Sequence, residues 1–130
     1  MIIADTSVWI DFFRGLEASH VKQLEIAIRA DELFIGDLII TELLQGAKND
    51  KSVKEIKDII SNLSTVSMVG ESIAYKSAEN YRKLRSQGIT IRKTIDVIIA
   101  TYCIESKATL IHNDRDFDPF ESKFGLSVLR

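Results

Sequence analysis

Five carboxylic acids sit where an apolar segment has just ended or where an aliphatic residue would be expected. Asp5 follows "MIIA", Glu42 interrupts "LIITELL", Asp96 interrupts "TIDVIIA", and Asp114 and Asp116 follow "ATLIH". Carboxylates with such flanks need partners. Two of them ~5 Å apart repel by roughly 3 kcal/mol at an effective dielectric of 20, so several gathered together lose charge, move apart or share a cation. A divalent metal is the simplest resolution. His20 and His112 are not spaced as a ligand pair with each other or with Cys103, which argues against zinc and for all-oxygen ligation of Mg²⁺ or Mn²⁺.

Each residue also has an ordinary reading. Asp5, Thr6 and Ser7 are all good helix caps. Glu42 and Asp96 face solvent if their helix faces are rotated, and Asp114 and Asp116 suit a turn. Trp9, Phe12 and Phe13 read as core or interface aromatics before base-stacking platforms. Cys103, within "VIIATYCIES", reads as a buried thiol, and a lone cysteine forms no internal disulfide. What favours chemistry is the joint placement of the acids.

That placement depends on the elements. Short apolar runs alternate with longer amphipathic ones: strands at "MIIA", "LFIG", "TVSMV", "ATLIH" and "LSVL", and helices at "SVWIDFFRG", 18–31, 38–47, 50–63, 71–87 and 94–106. A short helical turn follows Asp114. Val21, Leu24, Ala27 and Ile28 share one helix face, and Ile73, Ala74, Ser77, Ala78, Tyr81 and Leu84 another. Such alternation predicts an α/β fold with a mostly parallel sheet of about five strands, helices on both faces and right-handed connections. Open parallel sheets bind ligands beyond the carboxyl ends of their strands, and that is where these acids are delivered.

Composition sets the outer limits. With 130 residues, 45% hydrophobic, the chain is expected to form one domain, 1–130, with a substantial core. No apolar run is long enough to span a membrane and no secretory signal is evident, so no membrane partner and a cytoplasmic location are expected. Net charge is −2, yet "NYRKLRSQGITIRKTI" carries Arg82, Lys83, Arg85, Arg92 and Lys93 without an acid and leads straight to Asp96. These five are candidates for nucleic-acid phosphate contacts, or else a solvated helix face and loop.

The motifs "DTSVWIDFFRG", "LIITELLQGA" and "TIDVIIATYCIESKATLIHNDRDF" resemble, in order, those of PIN-domain ribonucleases, in particular the VapC toxins of toxin–antitoxin pairs. The resemblance runs from Met1 to Phe117. It implies a single PIN-like domain and an Mg²⁺-dependent endoribonuclease, Mn²⁺ substituting, that hydrolyses RNA to 5′-phosphate and 3′-hydroxyl ends. Metal or catalytic roles then fall to Asp5, Glu42, Asp96 and Asp114, with Asp116 as an additional acid and Thr6 or Ser7 orienting water. Asp5 and Asp96 are the first choices for direct ligands. His112 stands where the family commonly has Thr or Ser. A homodimer is implied, as is a VapB-type antitoxin held in a groove of the N-terminal helices, where Trp9, Ile10, Phe12 and Phe13 are too many to turn inward together.

Rival functions fit less well. A phosphoacceptor receiver domain needs adjacent acids after its first strand and a Lys after its fifth, and this chain has Asp-Thr and "LSVLR". A haloacid-dehalogenase-type phosphatase needs Asp-x-Asp, and Ser7 occupies the second place. A non-toxin PIN nuclease and a non-catalytic regulatory module on the same fold remain the alternatives.

Overall fold

The computed structural model describes all 130 residues. Five short strands, β1 (Ile2–Ala4), β2 (Leu33–Gly36), β3 (Ser64–Val66), β4 (Thr109–Ile111) and β5 (Ser127–Val128), form one sheet in the order β3-β2-β1-β4-β5. Every pairing is parallel, with Ile3 opposite both Phe34 and Leu110. The expected sheet of about five mostly parallel strands is therefore wholly parallel. Ile3, Ala4, Ile35, Leu110 and Ile111 are buried at its centre, which accounts for the near-continuous apolar runs of β1, β2 and β4.

The order places a topological switch between β1 and β4. The chain winds outward from β1 through β2 to β3, then returns to the other side of β1 for β4 and β5. The two connections leave β1 and β4 in opposite directions, so a crevice opens at their carboxyl ends. Asp5 and Asp114 stand there, just past β1 and β4.

Seven helices cover the sheet: α1 (Thr6–Phe13), α2 (Ser19–Arg29), α3 (Asp37–Gln45), α4 (Asp50–Ile60), α5 (Glu71–Ser86), α6 (Thr94–Ser106) and α7 (Asp118–Phe124). Their ends follow local chemistry. Asn49 caps α4 by accepting from Ser52 N–H at 2.9 Å. Gly88, at φ +81, closes α5 with Ile89 N–H donating to Leu84 C=O, as the glycine predicted. Val21, Leu24 and Ala27 are buried on the expected α2 face.

Three elements differ from the sequence reading. β3 ends at Val66, because Met68 turns inward to pack against Gly36 and its N–H donates to the Asp37 carboxylate at 3.0 Å. α7 is a full helix, started by Pro119 in its first turn and ended by Gly125 at φ +70. On α5 the inward stripe is rotated: Ser77, Asn80 and Leu84 are buried, whereas Ala74 and Ala78 are exposed. The reason is a polar contact inside the helix pair, Asn80 Nδ2 donating to Thr101 Oγ1 of α6 at 3.2 Å. A polar group is buried when it finds such a partner, and an apolar-only stripe overlooks it.

Candidate active site

Asp5 is the hinge of the site. It is 5% exposed, its own N–H donates to Ile111 C=O of β4 at 2.9 Å, and its side chain caps α1. Ser7 supplies the cap, donating to Asp5 Oδ2 from Oγ at 2.8 Å and from the backbone N–H at 3.4 Å. The capping reading of Asp5 is thus met, and the capped carboxylate also lies at the carboxyl end of β1. Burial is the main force pushing its carboxyl above the usual range, opposed by the Ser7 and Thr6 bonds and reinforced by Glu42.

Thr6, the first residue of α1, points the other way. Its hydroxyl donates to Glu42 Oε1 at 2.6 Å, which holds the middle of α3 against the start of α1. Both hydroxyls after Asp5 are therefore engaged with carboxylates. Adjacent residues at a helix start project in different directions, so one reaches Asp5 and the other Glu42.

Asp96 enters from the first turn of α6 and is also 5% exposed. Its Oδ2 is buried without a hydrogen-bond partner. Burial, then the charges of Asp5, Asp114 and Glu42, push this carboxyl up to about 7, with Lys93 opposing. Asp114 caps the single 3₁₀ turn over Arg115–Phe117, its Oδ1 accepting from Asp116 N–H at 2.9 Å. The turn reading of Asp114 is thus also correct. It brings Asp116 back toward the cluster, and oxygens of Asp96, Asp114 and Asp116 lie within 4.8 Å of one another.

The residues fit a hard divalent cation. Three carboxylates converge, one buried oxygen lacks any donor, and the acids raise one another's proton affinity where a cation would lower it. Asp96 groups with Asp114 and Asp116, whereas Asp5 has one oxygen committed to Ser7.

His112 contributes differently. Its Nδ1 accepts from Asp114 N–H at 3.2 Å, so it helps fix the loop that presents Asp114. In the neutral ring the proton is then on Nε2, which leaves that atom without a lone pair for a metal. Glu121, beside it, is already held by both Nη atoms of Arg130 at 2.6 and 2.9 Å. Cys103 is buried and pushed up to about 12 by burial, as expected for an inert thiol.

The residues of the basic stretch have different partners. Lys83 Nζ pairs with Glu79 at 2.9 Å, and Arg85 lies 5.5 Å over the Tyr81 ring. Arg92 pairs with Asp116, and Lys93 is exposed at the start of α6. Arg82, Arg85 and Arg92 line a cleft of about 510 Å³ between α5 and α6.

Of the four residues assigned to a partner groove, one is corrected. Trp9 is 0% exposed, because it is clamped by Phe12 and Phe13 at ring distances of 5.8 and 5.9 Å, and so it supports the surface from beneath. Phe12 and Phe13 are half-buried and Ile10 is exposed. Ile10 and Phe13 line a groove of about 350 Å³ with Leu43, Ala47 and Ile56, and Glu42 forms part of its wall. The groove therefore reaches the carboxylates.

Comparison with known proteins agrees with this geometry. The family profile described as PIN domain matches residues 2–121. The chain is 31% identical over 122 residues to the VapC ribonuclease Mb1587 of Mycobacterium bovis and to ribonuclease VapC11 of Mycobacterium tuberculosis, covering 91% of this chain and 90% of each relative. Its fold is similar to VapBC2 from Rickettsia felis bound to a promoter DNA fragment, with TM-score 0.80, 20% identity and 99% and 98% of the two chains covered. It is similar also to VapBC-1 from nontypeable Haemophilus influenzae, with TM-score 0.75, 22% identity and coverage of 99% and 97%. No helix is long and apolar enough to cross a membrane. With the profile covering nearly all of it and its acids gathered at the β1–β4 crevice, the chain belongs to the PIN domain family, among relatives named VapC.

Proposed function

We propose that this chain is a metal-dependent endoribonuclease and the toxin of a toxin–antitoxin pair. The observation that carries the reading is the convergence of Asp96, Asp114 and Asp116, with Asp5 and Glu42 close enough to raise Asp96, at the switch-point crevice. The relatives at 31% identity are named ribonucleases, and the fold neighbours are VapBC complexes.

In this reading Asp96, Asp114 and Asp116 hold Mg²⁺, or Mn²⁺ in its place, with Asp5 and Glu42 completing a direct or water-mediated shell. The bound ion supplies charge neutralisation at the phosphate and acidifies a water. The chain's own residues do the rest. Ser7 keeps Asp5 in one rotamer and Thr6 keeps Glu42 turned toward the crevice, so the acids are positioned before substrate arrives. Asp96 exchanges its proton near neutral pH and becomes a full anion once a cation compensates its burial. RNA phosphates outside the carboxylates meet Lys93 and the arginines of the α5–α6 cleft, Arg82, Arg85 and Arg92, while Lys83, tied to Glu79, contributes less.

The antitoxin segment would lie as an amphipathic stretch in the groove between α1, α3 and α4, where a basic side chain beside Glu42 reaches the carboxylates. A homodimer would cover Val69, just before α5, and Tyr75, on α5, which are 40% and 74% exposed. The function is tested by incubating single-stranded and structured RNAs with purified protein in Mg²⁺ and in chelator, then determining product ends. Cleavage in Mg²⁺ alone, leaving 5′-phosphate and 3′-hydroxyl ends, is expected. Cleavage in chelator, or products ending in a cyclic phosphate, contradicts the proposal.

A further inference from the structure

Among the basic residues near the site, Arg92 is already committed. Its Nε and Nη2 both donate to Asp116 Oδ2 at 3.3 Å, and the side chain is 74% exposed. Asp116 is also one of the three acids whose oxygens gather within 4.8 Å. One carboxylate is thus claimed from two sides, by a guanidinium of the same chain and by any cation drawn to the cluster. The two claimants carry like charge and repel each other at contact distance, so they compete for Asp116.

The pair is weak enough to exchange. Although Asp116 is only 16% exposed, the guanidinium end lies open to solvent, which screens the pair, and both contacts are longer than the 2.7–2.9 Å of a strong charge-assisted hydrogen bond. Arg92 also lines the α5–α6 cleft with Arg82 and Arg85, so its side chain has a second place to go. A guanidinium suits either role, since its planar fork matches a carboxylate and a phosphate alike.

We propose that Arg92 is an exchangeable counter-ion: a divalent cation bound by Asp96, Asp114 and Asp116 displaces it from Asp116, and the freed guanidinium takes an RNA phosphate beside the site. The inference rests on the reading of these acids as the cation site of a ribonuclease. It makes cation occupancy and RNA affinity reciprocal, each strengthening the other. RNA is then held best only where the cation is in place.

Two measurements on the full chain test this. Mn²⁺ binding, followed by the electron paramagnetic resonance of the free ion, should be about two- to five-fold tighter in Arg92→Ala and Arg92→Gln than in the unchanged protein, the size of the pair that no longer has to break. RNA binding by fluorescence anisotropy in chelator should change less than about two-fold on Arg92→Ala alone, where Arg92 is held by Asp116. In the Asp116→Asn background, which frees Arg92, the same substitution should weaken RNA binding several-fold. A simple charge effect would make Arg92→Ala cost the same in both backgrounds. Equal costs, or Mn²⁺ affinity unchanged or weakened without Arg92, overturn the exchange while leaving the nuclease reading intact. Failure of the unchanged protein to bind Mn²⁺ overturns the cation-site reading itself, and the exchange with it.

Discussion

The hydroxyl of Thr6 donates a 2.6 Å hydrogen bond to Glu42 Oε1, joining the first turn of α1 to the middle of α3 across 36 residues of sequence. This contact fixes an acid in the middle of a helix whose other anchors are the packing of Ile39 and Leu43 and, at its start, the Met68 N–H bond to Asp37. Thr6→Val keeps the volume and removes the donor. Activity on an RNA oligonucleotide is expected to fall roughly ten-fold, the scale of one charge-assisted hydrogen bond, while Thr6→Ser retains most of it. Steady-state kcat/KM of the two variants checks this, and an unimpaired Thr6→Val would show that Glu42 needs no such hold.

Asp96 makes stability depend on pH in the opposite sense to a salt-bridged acid. Its folded-state value of about 7 lies above the ordinary 3.8, so between these limits the folded chain keeps a proton that the unfolded chain has released. Stability contributed by this group therefore falls as pH rises from about 4 to about 7, and is flat outside that window. In chelator, Asp96→Asn should melt close to the unchanged protein at pH 4 and several degrees higher at pH 8, given that ~1 kcal/mol is worth about 4 °C in a domain of this size. Adding Mn²⁺ at pH 8 should raise the melting temperature of the unchanged protein and not that of the variant. Differential scanning fluorimetry across pH decides it, and a variant that loses stability equally at both pH values would refute the assignment.

Gly36 ends β2 and caps α3, the helix that carries Glu42. A Cβ there would run into Met68 Sδ and stand 2.8 Å from its Cγ, and Met68 is fully buried. Gly36→Ala is expected to destabilise by about 1–3 kcal/mol as Met68 is forced from its rotamer. Thermal denaturation measures this, and a variant as stable as the original would mean that Met68 repacks freely.

Trp9 is the single tryptophan, buried beneath the groove that Ile10 and Phe13 line. It should act as a reporter of groove occupancy without touching the occupant. Addition of the cognate antitoxin should change its emission, and Ile10→Glu should weaken that binding roughly ten-fold while leaving Mn²⁺ affinity unaltered. An emission insensitive to the antitoxin would place the partner on another face.

Much of this architecture was legible because parallel strands advertise themselves. "MIIA" and "LFIG" carry no polar side chain, and acids that break apolar patterns, such as Asp96 in "TIDVIIA", were visible as exceptions. What was hidden depended on contacts between distant residues. The Asn80–Thr101 bond turns α5 so that Ala74 and Ala78 face out, and no periodicity of α5 alone contains that information. Trp9 is surplus to a short helix taken alone, and its burial depends on Phe12 and Phe13 packing against it. The roles of Thr6 and Arg92 likewise depend on which carboxylate each meets, and that is set by the fold. α7 is the exception: Pro119 and Gly125 marked its two ends within the sequence itself.

In the proposed reading the acids at the β1–β4 crevice cleave RNA through a shared cation. Its most direct test is single-turnover cleavage of a 5′-labelled RNA in Mg²⁺ by the unchanged protein, Asp5→Asn and Asp96→Asn, each purified identically and confirmed folded by its melting curve. Cleavage by the unchanged protein and a loss of at least about 10²-fold in both variants are expected, since each removes charge from the site that compensates the phosphate. Cleavage by Asp96→Asn at the rate of the unchanged protein would contradict it.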